Sequence, residues 1–88
     1  MKILVMSKPG CIWCDRVKEL FDMHDLSYDE QCINDPSAQA AFARKHNTFT
    51  FPQVFVNDQV IGGYTDVTDW IASGKHIEAL HIPHNNNK

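Results

Sequence analysis

The chain has no apolar run long enough to cross a bilayer, which takes about 18 uninterrupted residues. Its first apolar stretch, Ile3-Leu4-Val5-Met6, stops at Ser7. That is too short for the core of a secretory signal, and no small-residue cleavage pattern follows it. An even cysteine count is also missing. The three cysteines in 88 residues, Cys11, Cys14 and Cys32, do not form the framework that staples small secreted domains. Charge of either sign is in small excess, −3 overall, so nothing draws the chain as a whole to nucleic acid or anionic membrane. Internal repeats, linkers and low-complexity stretches are absent too, apart from a polar tail at residues 83–88, expected to be disordered. These absences point to a cytoplasmic, single-domain protein covering residues 1–82, for which a monomer is the expectation. A chain of this length buries roughly 60% of its unfolded surface, enough for one modest core. Its 43% apolar and 22% charged residues are ordinary for a globular protein.

The feature that stands out is Cys11-Ile12-Trp13-Cys14. It follows the apolar run and opens a helical pattern. A cysteine at the first turn of a helix faces unsatisfied backbone N–H groups and the positive end of the macrodipole. Both favour thiolate over thiol. Lys8, three residues upstream, adds a positive charge nearby. A second cysteine one turn further on can attack a mixed disulfide formed at the first. Taken alone, the Cys-x-x-Cys admits three readings: a redox pair, half of a metal site, or coincidence. Zinc needs four ligands. The other ligand pair at short spacing, His81 and His84, lies on the tail at a spacing tighter than usual, so no metal ligand is assigned.

Around this motif the chain reads as alternating strands and helices. Ile3 to Met6 has the continuous apolar character of a central strand. Apolar positions 13, 17, 20 and 21 predict a helix from Trp13 to His24. Ser27 to Ile33 is polar and alternating, which predicts an edge strand. Asp35-Pro36 opens a second helix, with Asp35 as N-cap, Ala38, Ala41 and Phe42 as its inner stripe, and an end near Lys45. Val54-Phe55-Val56 and Val60-Ile61 form a hairpin across Asn57-Asp58, a pair that tolerates positive φ. Val67, Trp70 and Ile71 mark a third helix, capped by Thr65 or Asp66 and stopped by Gly74. A short last helix is expected from Lys75 to about His81. The order β-α-β-α-β-β-α predicts a four-stranded mixed α/β sheet flanked by helices, with a right-handed crossover joining a parallel strand pair.

Three further stretches have both a plain and a functional reading. Cys32 on the edge strand reads as a small half-buried hydrophobe, or as a regulatory or dimer-forming thiol. Thr50-Phe51-Pro52 reads as an ordinary strand start. Alternatively it is a cis-proline turn beside the cysteines, leaving the Phe51 backbone free to pair with an extended thiol substrate. Gly62-Gly63-Tyr64-Thr65-Asp66 reads as a turn plus helix cap, or as a carboxylate-binding corner at a helix N-terminus. Trp13, at the exposed mouth of such a site, reads as a lid or platform.

Assembled, these residues resemble the glutaredoxins over about residues 2–74. Lys8, the Cys-x-x-Cys at 11–14, Phe-Pro-Gln-Val-Phe-Val at 51–56 and Gly-Gly-Tyr-Thr-Asp at 62–66 stand in family order and spacing. The resemblance implies a thioredoxin-like fold that reduces protein disulfides and glutathione mixed disulfides, with glutathione as reductant and no tightly bound cofactor. By position, Cys11 is the implied nucleophile and Cys14 the resolving thiol. Lys8 is implied as a contact for the glycine carboxylate of glutathione, and Phe51 before a cis-Pro52 as the partner of its cysteinyl backbone. Thr65 and Asp66 are implied at the γ-glutamyl end, with Gly63 and Tyr64 as further glutathione contacts. Trp13 replaces a common tyrosine, and a cation on the second helix is implied at Arg44 or Lys45. The chain departs from the family in having Ile12 where proline is frequent, a feature shared with members that bridge an iron–sulfur cluster with glutathione. Two alternatives therefore stand beside the main reading. One is such a cluster carrier. The other is a glutaredoxin-like thioredoxin served by thioredoxin reductase and donating electrons to ribonucleotide reductase.

Overall fold

A computed structural model describes residues 1–48 and 50–75. The expected order is found: β1 (Ile3–Ser7), α1 (Ile12–Met23), β2 (Asp29–Cys32), α2 (Pro36–His46), β3 (Gln53–Val56), β4 (Gln59–Gly62) and α3 (Tyr64–Ala72). The strands form one mixed sheet in the order β2-β1-β3-β4. β1 runs parallel to β2 and antiparallel to β3, and β3 runs antiparallel to β4. No helix among the described residues is long and apolar enough to cross a membrane. The expected last helix, the boundary at residue 82, the polar tail, His81 and His84 all lie outside the described residues.

Alternation along the central strands sorts their side chains between two layers. Ile3 and Val5 of β1 with Val54 and Val56 of β3 meet Val17 and Phe21 of α1 and Val67, Trp70 and Ile71 of α3 in one core. On the opposite face α2 is held mainly by Phe42, whose ring lies 5.4 Å from that of Phe51 and 6.4 Å from that of Phe55. The inner stripe expected for α2 is corrected here. Ala38 and Ala41 are exposed, and the inward residues are Gln39, Phe42, Ala43 and His46. A methyl group gains little from burial compared with an aromatic ring, so the Phe42 ring sets the rotation of the helix.

Three other local expectations are refined. The edge strand is confined to Asp29–Cys32 and exposed throughout, so Cys32 is not a half-buried hydrophobe. Its Sγ lies 3.5 Å from Asn34 Oδ1. The hairpin turn does use positive φ, 51° at Asn57 and 69° at Asp58. Asn57 also anchors the sheet, because its N–H donates to Lys2 O at 2.8 Å and its Oδ1 accepts from Lys2 N at 2.9 Å. Finally, α3 is capped neither by Thr65 nor by Asp66. Its N-cap is Gly63, and the third helical residue, Asp66, reaches back so that its carboxylate accepts from Gly63 N at 3.0 Å.

Candidate active site

The turn after β1 delivers Cys11 as the N-cap of α1, with extended backbone at φ −99° and ψ 103°. Its sulfur takes the place of a capping oxygen, and Cys14 N donates to Cys11 Sγ at 3.2 Å. An unsatisfied helix N–H aimed at sulfur is the arrangement that stabilises a thiolate once the pair is reduced. The Cys11 and Cys14 sulfurs are at bonding distance, across a Cα separation of 5.3 Å, inside the usual disulfide range. The two differ in access. Cys14 is 1% exposed, whereas Cys11 is only half-buried. An incoming reagent therefore meets Cys11.

Cys11 Sγ also lies 3.7 Å from the carbonyl oxygen of Phe51, and the Phe51–Pro52 bond is cis. The loop leading into it is held from inside the fold by Gln53. This side chain is 6% exposed, and its Nε2 donates to Thr48 Oγ1 at 3.0 Å, Thr50 O at 3.0 Å and Thr50 Oγ1 at 3.2 Å. Lys8 is exposed, with its ammonium 5.8 Å from the centroid of the Phe51 ring, so it stands on the same rim as the sulfur.

From Phe51 an open groove of about 780 Å³ runs to the start of α3, within the range of small-molecule sites. Of the residues singled out in the sequence, Trp13, Phe51, Pro52, Gly63, Tyr64, Thr65 and Asp66 line it. Lys8 and Cys11 adjoin it through Phe51, and Cys14 lies behind Cys11. Trp13 is 52% exposed, and its ring lies 5.3 Å from that of Tyr64 at 47°. The far end is the N-terminus of α3, where free helix N–H groups favour an anion.

Two features were not foreseen. At the end of α2 the groove is lined by His46 and the C-cap Asn47, not by Arg44 or Lys45, which are exposed on its last turn. The hold of Gln53 on Thr48 and Thr50 is the other. The signal for Gln53 was available, as a polar residue opening an otherwise apolar strand run.

The family model described as Glutaredoxin matches residues 3–61. The chain belongs to the glutaredoxin family. It is 31% identical over 78 residues to Glutaredoxin 1 of Rickettsia bellii, covering 83% of this chain and 80% of that one. Among solved structures it resembles the buckwheat glutaredoxin–glutathione complex, with a TM-score of 0.74, 32% identity and coverage of 90% and 76% of the two chains. Glutaredoxin 1 from Francisella tularensis, complexed with cacodylate, aligns with a TM-score of 0.75, 25% identity and coverage of 85% and 96%. The fold is the thioredoxin-like fold of these proteins. As a glutaredoxin the chain is an oxidoreductase, and Cys11 and Cys14 form its redox-active pair.

Proposed function

We propose that this glutaredoxin is a cytoplasmic, glutathione-dependent reductase of glutathione mixed disulfides and protein disulfides. The observation that carries this reading is the position of the accessible Cys11 sulfur. It sits 3.7 Å from the Phe51 carbonyl, which adjoins a groove ending at the N-terminus of α3. A γ-glutamyl tripeptide joined through its sulfur has matching groups in that order. The Phe51 backbone, beside cis-Pro52, pairs with the cysteinyl unit in the manner of strand addition. Lys8 meets the glycine carboxylate. The helix terminus at Gly63, Tyr64 and Thr65 takes the γ-glutamyl carboxylate, and Asp66 takes its ammonium. Trp13 and Tyr64 form the apolar wall between.

In the reaction the Cys11 thiolate attacks the glutathione sulfur of a mixed disulfide and expels the other sulfur as a thiolate, which takes up a proton. A second glutathione thiolate then attacks the glutathione sulfur bound to Cys11. This forms oxidised glutathione and regenerates the Cys11 thiolate. With a protein disulfide, Cys14 attacks the mixed disulfide at Cys11, releases the reduced protein and leaves the Cys11–Cys14 disulfide. Two glutathione molecules then reduce that disulfide. Ribonucleotide reductase is one protein disulfide of this class, and a monomer suffices for both routes.

The test is NADPH oxidation on a small glutathione mixed disulfide in two coupled systems, one with glutathione and glutathione reductase, the other with thioredoxin reductase alone. Turnover confined to the first is the expected result. Turnover confined to the second would transfer the protein to the thioredoxin-reductase-driven class. Silence in both, with visible absorbance after anaerobic purification with glutathione, would favour the cluster carrier.

A further inference from the structure

We infer that Arg16 is a positioning residue: it holds the Trp13 indole against Tyr64 as a fixed wall of the groove, and so sets affinity for the substrate rather than the reactivity of Cys11. The inference deepens the reading above, on which the groove takes the glutathione part of a mixed disulfide.

It starts from the exposure of Trp13. An indole 52% exposed on the first turn of a helix has several open rotamers and an entropic cost to being held in one. Two contacts restrict it. Its ring lies 5.3 Å from Tyr64, and the guanidinium carbon of Arg16 sits 5.5 Å from its centroid. Arg16 stands three residues after Trp13, where helical side chains are neighbours. Its planar, weakly hydrated cation suits stacking on an aromatic face.

Lys18 pairs with Asp15 at 3.6 Å and with Glu30 at 3.0 Å. Among the described residues no carboxylate lies within ion-pair distance of Arg16. The guanidinium is thus left with the indole as its partner. Tyr64 is the first residue of α3, so the series Arg16–Trp13–Tyr64 joins the N-terminal turns of α1 and α3. Trp13 and Tyr64 both line the groove, while Arg16 does not. Its effect on a bound substrate therefore passes through the indole.

The experiment compares Arg16→Gln and Arg16→Lys with the unsubstituted protein by three readouts. The first is acrylamide quenching of tryptophan fluorescence. The second chromophore, Trp70, is 8% exposed and shielded, so the quenchable fraction reports Trp13. The second readout is the KM and kcat for a glutathione mixed disulfide in the glutathione-coupled assay. The third is the pH profile of Cys11 alkylation. An exposed cation–π contact corresponds to about a two- to fivefold change in population. Arg16→Gln should therefore make Trp13 more quenchable and raise KM about two- to fivefold, with kcat and the alkylation profile unchanged. Arg16→Lys should recover part of both effects. An unchanged quenching curve or an unchanged KM in Arg16→Gln overturns the inference, as does a shifted alkylation profile, which would mean that the charge acts on the thiolate directly. Should no protein turn over with glutathione while quenching still changes, the glutathione reading fails and the hold on Trp13 survives. Turnover with neither quenching nor KM altered does the reverse.

Discussion

At the scale of single residues, the unequal exposure of the two cysteines divides their roles. Cys11 caps α1 and can be reached from solvent, whereas Cys14 lies beneath it at 1% exposure. Attack on a mixed disulfide needs a sulfur that a bulky reagent can approach, and a thiolate held by the helix N-terminus. Only Cys11 meets both conditions. Cys11→Ser should therefore lose turnover of glutathione mixed disulfides down to the uncatalysed background. Cys14→Ser should retain most of it, because free glutathione can resolve the Cys11 adduct. Cys14→Ser should fail, however, on protein disulfides that need the second thiol. Initial rates on the two substrate types check this, and equal loss in both variants on the mixed disulfide would contradict it. Ile12 bears on the same turn. It is 59% exposed at the first helical position, where proline is common because its missing N–H would have no intrahelical partner. The helix forms with isoleucine there nonetheless.

At the scale of elements, the junction between β4 and α3 is where backbone geometry builds the far end of the groove. Gly62 has φ +125°, a region that L side chains rarely adopt. A Cβ at that position would overlap the Asp66 carboxylate, the group that accepts from Gly63 N. Gly62→Ala should therefore cost more than about 1 kcal/mol of stability and raise the KM for glutathione mixed disulfides, with kcat less affected. Urea unfolding and steady-state kinetics test this, and unaltered values for both would show that the cap tolerates a displaced Asp66. This junction also marks how far a sequence can be read. Gly-Gly before a Thr-Asp pair locates the helix start to within two residues. It does not reveal that Asp66 folds back onto Gly63 instead of capping from the N-cap position, since both arrangements draw on the same residue types. α1 was legible because its apolar spacing and its charged face agree. The span of α2 was legible from Asp35-Pro36, but its inner face was not, because alanines lie on several of its faces and the deciding contact, Phe42 with Phe51 and Phe55, joins residues remote in sequence.

At the scale of the whole molecule, the strand and helix order was legible because each segment carries its own period and its own punctuation, such as Asn57-Asp58 or Asp35-Pro36. The groove was legible only through the resemblance to a family, since residue 13, residues 46–48, residues 50–53 and residues 60–66 meet in it without any local pattern announcing that they do. The polar bridge that ties the βαβ unit together is a second long-range feature of this kind. Ser7 ends β1 at 2% exposure, and its hydroxyl donates to Glu30 Oε2 of β2 at 2.7 Å. Lys18 of α1 donates to the same oxygen at 3.0 Å. The bond from Ser7, followed by that from Lys18, holds the Glu30 carboxyl below its usual range. The bond to Glu30 raises Lys18 in turn. A carboxylate with a depressed folded value contributes stability above its unfolded value and loses it as pH falls through the folded one. Lys18 has the opposite sign, and its contribution is lost only in strong alkali. The side chains of Lys18 and Glu30 are 25% and 34% exposed, so solvent screening keeps the contribution of the bridge to about 1 kcal/mol near neutral pH. Glu30→Gln keeps the shape and an acceptor for Ser7 but removes the charge. Unfolding free energies should therefore differ by about that amount at neutral pH and converge as acid protonates Glu30, because a protonated glutamate and a glutamine are both neutral and close in shape, each keeping a carbonyl acceptor. A difference that persisted undiminished to about pH 3 would mean that the shape of the side chain, and not its charge, joins β2 to the end of β1.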